Sequence, residues 1–163
     1  MFKRFWNRVN PFHKTIKIIY NGATIHRHGN CYDIALPYSF YPLYCEDSID
    51  KTNRISLGIQ TELPKGYGAV LNFRSSTAGK YGYINVSGFG EVEGNYCGVW
   101  HGIIQPHKYS LPAYVGARLF QFKLELLWDA PWYVKVCHLF ATFSFVTVKE
   151  LKTTRGGLGS TGR

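Results

Sequence analysis

A short segment in the middle of the chain combines the residue types that bind phosphate. Residues 74–80 read Arg-Ser-Ser-Thr-Ala-Gly-Lys. A guanidinium can donate two hydrogen bonds to phosphate oxygens, and hydroxyl and loop N–H groups supply further donors. Arg74, Ser75 and Ser76 are therefore candidate phosphate ligands, although a solvated basic loop has the same composition.

Carboxylates on either side of this segment could take part in the same chemistry. Glu91 and Glu93 are separated by one residue, so both would point to one face of an extended strand. There they could hold a metal ion or activate a water molecule, or they could form the polar face of a hairpin. Asp33 lies within the apolar run Cys31–Ala35, where a carboxylate is expected to be paired or functional.

The C-terminal residues are a second candidate for phosphate binding. Residues 156–163 read GGLGSTGR. Glycine-rich segments lose much backbone entropy on ordering and bury little, so contact with a ligand is the expected compensation. Backbone N–H groups and the hydroxyls of Ser160 and Thr161 suit a phosphate chain, whereas a flexible end is the alternative for such a composition.

Composition limits the class of protein. The chain of 163 residues is long enough for one domain with a buried core, and its 45% of apolar residues exclude a disordered chain. Its net charge of +9 attracts polyanions such as nucleotides, nucleic acids or acidic membranes. Much of that excess lies within the first 17 residues.

Cysteine and histidine spacing does not support a metal site built by the protein. The four cysteines include no CxxC pair, and His26 and His28 lack a third ligand at a telling spacing. We therefore expect reduced thiols and a cytoplasmic protein. No secretory signal is predicted, because residues 1–10 lack a continuous apolar core and a small-residue cleavage site. No spanning helix is predicted either, because charged residues and Pro131 interrupt the most apolar stretch, so we expect no membrane partner.

The elements that would position these residues are mostly strands. Short runs of β-branched and aromatic residues recur between turn signals, which is typical of an all-β sandwich or jelly roll. A short helical turn is plausible only at Ser75–Gly82, and Gly88–Gly94 reads as the turn of a hairpin. The predicted strands are Thr15–Tyr20, Tyr32–Leu36, Ile55–Thr61, Tyr67–Arg74, Tyr83–Val86, Asn95–Ile104, Arg118–Leu127 and Tyr133–Lys149, the last of them split in two.

The order of the candidate motifs resembles a known family. Asp33 comes first, Arg74-Ser75 follows, and then come Glu93-Gly-Asn-Tyr-Cys-Gly98, Gly116-Ala-Arg-Leu-Phe-Gln121 and the terminal GLGSTG. This order and spacing resemble the five motifs of the trimeric dUTP pyrophosphatases (dUTPases), over residues 24–163. The GLGSTG motif and the interval from Arg74 to Glu93 are the most specific parts of the resemblance.

The resemblance implies a fold and a reaction. The implied fold is a distorted jelly-roll β-barrel over residues 13–151, with a basic N-terminal arm at 1–12 and a C-terminal arm at 152–163 that closes the active site. The implied assembly is a homotrimer with active sites between subunits. The implied reaction is hydrolysis of dUTP, or of a related pyrimidine deoxynucleoside triphosphate, to the monophosphate and pyrophosphate, with Mg²⁺ carried by the triphosphate.

The resemblance also implies roles for individual residues. Glu93 would be the general base, and Asp33 would act near the metal-bound phosphates or hold structural hydrogen bonds. Tyr96 would stack on the deoxyribose, and the segment Ser87–Tyr96 would read the base. The implied phosphate ligands are Arg74, Ser75, Ser76, Gln121, Arg155, Gly159, Ser160 and Thr161, and the implied base and sugar contacts are Ser87, Gly88, Tyr96 and Leu158.

Several of these positions depart from the family pattern. Glu93 replaces the usual Asp and carries its carboxylate about 1.5 Å further from the backbone. Ser87 replaces an Asn that helps to hold the uracil, Leu158 replaces a Phe that covers the base, and Arg155 is the nearest candidate for a displaced Arg. These changes indicate an altered base preference or weakened catalysis.

Two other functions compete with hydrolysis. A non-enzymatic relative would bind nucleotide without turnover and act as a sensor, decoy or protein-interaction regulator. The basic N-terminal arm could bind nucleic acid, although such arms are more often only solvated, so the sequence argues against nucleic acid as a partner. The related dCTP deaminases need a Glu where this chain reads Val99-Trp-His-Gly-Ile103, which argues against deamination.

Overall fold

A computed structural model describes residues 12–43, 52–86 and 88–151. These residues form ten strands and two short helices. In chain order they are β1 (His13–Tyr20), β2 (Thr24–His28), β3 (Cys31–Ala35), β4 (Asn53–Glu62), β5 (Tyr67–Phe73), α1 (Ser75–Tyr81), β6 (Tyr83–Ile84), β7 (Gly90–Val92), β8 (Val99–Pro106), β9 (Arg118–Leu126), α2 (Trp132–His138) and β10 (Thr142–Thr147).

The strands form two five-stranded sheets, as expected for the predicted all-β class. One sheet has the order β10-β1-β4-β8-β6 and the other has the order β2-β3-β9-β5-β7. Neighbouring strands are antiparallel except for β1 and β10, which run parallel.

The core lies between the two sheets. One cluster of buried side chains includes Ile16 and Leu57 from the first sheet and Ile34 from the second. The rings of Trp100 and Phe122 meet across the interior with centroids 5.0 Å apart. Burying these side chains from both sheets supplies the main driving force for folding and leaves the outer faces and strand ends for other roles.

The predicted strand at Tyr133–Lys149 is wrong in its first half. Trp132–His138 is a helix and only Thr142–Thr147 is a strand. The aromatic and β-branched residues favour a strand locally, but Pro131 fixes the start of a helical turn and Val134 is buried against Tyr67. Tertiary packing therefore overrides local preference here.

The predicted turn at Gly88–Gly94 is wrong because this segment contains β7, although the two strands that it was expected to connect do pair antiparallel as β6 and β8. The strand before it, β6, pairs with β8 in the first sheet, whereas β7 pairs with β5 in the second. The chain therefore crosses from one sheet to the other at this point instead of turning back on itself.

The predicted helical turn at Ser75–Gly82 is confirmed as α1, which is followed by Gly82 in the left-handed conformation.

The predicted arms lie almost entirely outside the described residues, which begin at Phe12 and end at Leu151. Their boundaries remain a prediction. Among the residues described, no helix is long and apolar enough to cross a membrane.

Candidate active site

A buried carboxylate organises one end of the second sheet. Asp33 is only 1% exposed, and its Oδ2 atom accepts contacts from Arg74 Nε at 3.0 Å and from Arg118 Nη1 at 3.4 Å. Arg74 also donates a hydrogen bond to the carbonyl oxygen of Arg118 at 3.5 Å. Two guanidinium groups from different elements are thus held together by a single carboxylate oxygen.

This cluster carries an excess of positive charge that reaches the surface. Two guanidinium groups against one carboxylate leave one net positive charge. The side chain of Arg118 is 42% exposed and that of Arg74 is 24% exposed. Guanidinium groups oriented by a buried partner and open to solvent on their other side can bind a phosphate group.

A β-bulge in β9 places Arg118 on the same face as Gln121. The register pairs Asp33 with Gln121 but Ala35 with Arg118, so β9 contains one extra residue over this interval. Because strand residues alternate between faces, the three-residue interval in the sequence predicts that the two side chains point to opposite sides. The extra residue shifts that alternation and brings both to the face of Asp33. Arg118 is therefore a site residue that the sequence did not identify.

The three hydroxyl residues after Arg74 have different environments. Ser75 and Ser76 are exposed at the start of α1. Thr77 is fully buried, and its Oγ1 donates a hydrogen bond to the carbonyl oxygen of Leu119 at 2.6 Å. The backbone N–H of Arg74 donates to the same oxygen at 3.0 Å. Thr77 thus fixes the segment to the bulge, while the two serines remain accessible to a ligand.

Polar residues continue across the sheet from Asp33. Gln121 lies beside Asp33 on one side and beside Asn72 on the other, and its Nε2 atom donates to the carbonyl oxygen of Phe73 at 3.3 Å. Asn85 donates through Nδ2 to Asn72 Oδ1 at 3.2 Å and also to the carbonyl oxygen of Gly88. Asn72 and Asn85 connect the segment predicted to read the base with the residues predicted to bind phosphate, and no motif in the sequence singled them out.

Glu93 lies in a tight turn directly after β7. It is exposed, and its carbonyl oxygen accepts a hydrogen bond from the N–H of Tyr96 at 3.0 Å. A Cβ atom on Gly94 would clash with the carbonyl oxygen of Tyr67, so only glycine allows this turn to approach β5 so closely. Glu91 is also exposed. Within the described ranges, no group of three or more His, Cys, Asp or Glu side chains could hold a metal ion.

Tyr96 is held in one orientation by its neighbours. Its hydroxyl donates to the carbonyl oxygen of Val99 at 2.9 Å, and its half-buried ring packs on the edge of the core. A Cβ atom on Gly98 would lie 2.7 Å from the ring carbon Cζ, so glycine at this position is needed for the ring to lie where it does. A ring fixed in this way can provide a flat surface for a sugar or base.

The two halves of the candidate site lie far apart within one chain. Arg74 follows the last residue of β5, whereas Glu93 follows Val92, which pairs with Ala69 near the start of β5. At about 3.4 Å per residue, their backbones are about 20 Å apart along the strand direction. That is too far for both side chains to contact the same phosphate group.

Six predicted site residues lie outside the described part of the chain. They are Ser87, Arg155, Leu158, Gly159, Ser160 and Thr161. The roles that the resemblance implies for them therefore stay predictions. The described members of the predicted set divide into the cluster around Asp33 and the turn around Glu93.

Solved structures with the same fold are dUTPases. The dUTPase of Streptococcus mutans superposes with a TM-score of 0.57 at 16% identity, covering 72% of this chain and 98% of that one. The dUTPase of Staphylococcus bacteriophage 80alpha with dUpNHpp also gives a TM-score of 0.57 at 16% identity, covering 91% and 98%. A D95N mutant dUTPase from phage phi11 of S. aureus, described with a structural Mg(II) ion, gives 0.54 at 15% identity, covering 71% and 93%.

These similarities are similarities of structure, and comparison of sequences finds no further relatives. No protein-family model matches the chain, and no curated protein is significantly similar to it in sequence. At these identities the similarity establishes the fold: the protein is a divergent chain with the dUTPase fold. A shared fold does not determine an activity, which depends on the residues at the site.

Proposed function

We propose that the protein is a nucleotide pyrophosphatase that hydrolyses dUTP, or a closely related pyrimidine deoxynucleoside triphosphate, to the monophosphate and pyrophosphate. The observation that carries this proposal is the pair of guanidinium groups that Asp33 holds at the surface of a dUTPase fold. The 80alpha dUTPase with the same fold is known with the nucleotide analogue dUpNHpp.

The cluster around Asp33 binds the phosphate chain in this proposal. Arg74 and Arg118 donate to phosphate oxygens, and the exposed hydroxyls of Ser75 and Ser76 add further donors. The amide of Gln121 lies next to them in the sheet. Asp33 is a positioning residue, since its buried Oδ2 atom already accepts both guanidinium groups and orients them for the substrate.

Glu93 activates the attacking water in this proposal. Its carboxylate accepts a proton as the water oxygen bonds to the α-phosphorus, and the bond to the bridging oxygen breaks to release pyrophosphate. Mg²⁺ carried by the triphosphate would supply neutralisation of the charge on the leaving pyrophosphate.

The separation between Glu93 and Arg74 supports an active site shared between subunits. One chain cannot bring both side chains to one α-phosphate across about 20 Å. A second copy can supply the missing half, and closed symmetry then gives every copy the same two contacts. We therefore propose a homotrimer in which Glu93 and Tyr96 of one subunit face Arg74 of a neighbour, with the C-terminal arm, including Arg155 and Gly159, closing over the nucleotide.

The proposed base and sugar contacts lie near the turn at Glu93 and near the pair Asn72 and Asn85. Tyr96 offers its fixed ring to the deoxyribose, where it leaves little room for a 2′-hydroxyl. Gly88 and the neighbouring Ser87 present backbone groups to the base in this proposal. Asn85 links Gly88 to Asn72, because its Nδ2 atom donates hydrogen bonds to the carbonyl oxygen of Gly88 and to Asn72 Oδ1. Leu158 covers the base less fully than an aromatic ring would.

Pyrophosphate release tests the proposal. The purified protein with Mg²⁺, assayed with dUTP, dCTP, dTTP and UTP, is expected to release pyrophosphate from dUTP or from one of the other two deoxynucleotides, and not from the ribonucleotide UTP. Glu93→Gln is expected to lower turnover by about 10² to 10⁴-fold with little change in nucleotide affinity, because the amide cannot accept the proton. Glu91→Gln, which removes an equally exposed carboxylate two residues away, is the matched control and is expected to retain activity.

A regulator that binds nucleotide without turning it over is the second candidate. Phage dUTPases such as that of 80alpha are described as controlling the transfer of virulence genes by a proto-oncogenic G protein-like mechanism. Nucleotide binding with no pyrophosphate release from any of the four substrates would favour this role. Full activity of Glu93→Gln would instead reject Glu93 as the base. Deamination remains disfavoured, because β8 reads VWHGIIQP and carries no carboxylate.

A further inference from the structure

Thr77 is a buried polar residue at the edge of the candidate active site. Its side chain is fully buried, as is that of Thr61 in β4. The hydroxyl of Thr61 has no hydrogen-bond partner among the described residues, whereas the hydroxyl of Thr77 donates to the carbonyl oxygen of Leu119 at 2.6 Å. A buried hydroxyl is costly unless it is hydrogen-bonded, so this bond is worth keeping to the fold. Thr77 therefore joins α1 to β9 through its side chain.

The acceptor of this bond belongs to the bulge in β9. Leu119 has no counterpart in β3, because its neighbours Arg118 and Phe120 pair with consecutive residues of that strand. The carbonyl oxygen of Leu119 accepts from the hydroxyl of Thr77 and from the N–H of Arg74 at 3.0 Å. These two bonds hold the bulged residue from the side of α1 and the end of β5.

Arg118 directly precedes the bulged residue, and its direction depends on the bulge. Without the extra residue, strand alternation would turn the side chain of Arg118 away from the face of Asp33. Its Nη1 atom lies 3.4 Å from Asp33 Oδ2, which is longer than the 3.0 Å contact from Arg74, and its side chain is 42% exposed. A long contact fixes a partly exposed guanidinium weakly, so its position depends on the backbone that carries it.

We propose that Thr77 is a positioning residue for phosphate binding: its hydroxyl holds the bulge in β9, and the bulge directs Arg118 toward the phosphate chain of the nucleotide. This inference deepens the proposed function and rests on its phosphate site, but it does not depend on turnover. Thr77 makes no contact with a ligand itself, because it is fully buried. Ser75 and Ser76 are exposed donors, so the three hydroxyl residues after Arg74 divide into two that face the ligand and one that fixes the backbone.

Titration with the nucleotide analogue dUpNHpp and with inorganic triphosphate tests the proposal. Thr77→Val nearly keeps the shape of the side chain and removes the donor. It is expected to weaken binding of both probes by about three- to tenfold, which corresponds to the loss of one hydrogen bond. Thr77→Ser keeps the hydroxyl and is expected to bind both probes within about twofold of the parent.

A double-mutant cycle separates positioning from a merely structural role. Thr77→Val added to Arg118→Met is expected to weaken binding by no more than about twofold further, because Thr77 acts through a guanidinium that is already missing. Thr77→Val added to Lys123→Met is expected to show its full effect, since Lys123 lies outside the proposed phosphate site.

Thr61→Val is the matched control for Thr77→Val. It makes the same change at a buried threonine whose hydroxyl has no hydrogen-bond partner among the described residues, and it is expected to bind like the parent. Thermal melts establish that each variant is folded. If Thr77→Val does not fold, Thr77→Ala replaces it, because alanine also lacks the donor and is more favourable in a helix.

The outcomes distinguish this inference from the proposed hydrolysis. Equal binding by Thr77→Val and the parent, or additive losses when Thr77→Val is combined with Arg118→Met, would overturn the role of Thr77. The expected binding pattern without pyrophosphate release from any nucleotide would support the role of Thr77 and reject the hydrolysis. Absence of binding of both probes by the parent would overturn both proposals.

Discussion

Asp33 shows how one side chain can determine a site without contacting a substrate. Its Oδ2 atom engages both guanidinium groups, while its Oδ1 atom, among the described residues, has no hydrogen-bond partner. A buried carboxylate is costly unless it is paired, so the two arginines stabilise Asp33 as much as Asp33 orients them. The sequence predicted that Asp33 would be paired or functional, but it could not identify the partners, which lie 41 and 85 residues away.

The exposed position of Arg118 leads to a prediction. Arg118→Met should lower nucleotide affinity by about 10- to 100-fold, because a charge-assisted hydrogen bond to phosphate is worth about 1.5–3 kcal/mol. The fold should survive, since Arg74 still pairs with Asp33 at 3.0 Å. Isothermal titration with a non-hydrolysable dUTP analogue would measure the change.

Lys123→Met is the matched control for this change. Lys123 is an exposed cation on the same strand, and it pairs with Glu125. Its loss removes the same net charge without removing the proposed phosphate contact. Equal weakening by both variants would show that Arg118 acts only through the overall charge of the protein.

At the scale of elements, the strands could be predicted better than their irregularities. Alternating apolar residues located most of the strands because burial of one face imposes a period of two. The bulge in β9 breaks that period, and Leu119 and Phe120 are consequently both buried. The bulge lies in the pairing of β9 with β3, whereas the pairing of β9 with β5 is regular, and no local pattern in the sequence records this difference. The same limit explains why the sequence identified Gln121 as a site residue and left Arg118 out.

A side-chain contact between β4 and β8 predicts how the stability of the fold depends on pH. His101 Nδ1 lies 3.2 Å from Arg54 Nη2. Burial and the nearby charge of Arg54 lower the pKa of His101 below its usual 6.5. The unfolded chain therefore binds a proton at His101 at higher pH than the folded chain does, so stability is lost as the pH falls from about 6.5 through the lowered pKa.

Replacing His101 tests this contribution. His101→Gln should make the melting temperature less dependent on pH between about pH 7 and pH 5, because the amide can still accept from Arg54 but does not titrate. Thermal melts at intervals across this range would show the difference in slope. Parallel curves for the parent and the variant would mean that His101 does not contribute to the acid sensitivity of the fold.

At the scale of the whole molecule, the proposed site is incomplete in one chain. Glu93 and Arg74 lie toward opposite ends of β5. The motif order in the sequence indicates which residues act together, but it gives no distance between them. The register of β7 against β5 supplies that distance, and it is the basis for our proposal that the two groups act from different copies of the chain.

Mixing two inactive variants tests this arrangement. Glu93→Gln and Arg74→Leu should each be inactive, but subunits of both kinds exchanged into mixed trimers should recover about a quarter of the parent activity. Each site would need one intact Glu93 and one intact Arg74 from neighbouring copies, and random mixing provides both with that frequency. Pyrophosphate release after denaturation and joint refolding would measure the recovery. No recovery, with mixed trimers confirmed by mass, would locate both groups in one subunit's site.

The parallel pairing of β1 with β10 has a consequence for how the chain folds. His13 bonds to Thr142 and Ser144, which are 129 and 131 residues later in the sequence. During synthesis the first strand therefore emerges long before its neighbour exists, and one edge of β1 stays open until β10 arrives. Closing contacts of such long sequence separation is slow. We therefore expect completion of the first sheet to be a late step of folding, and a chain truncated before Thr142 is expected to expose an edge of β1 that promotes aggregation.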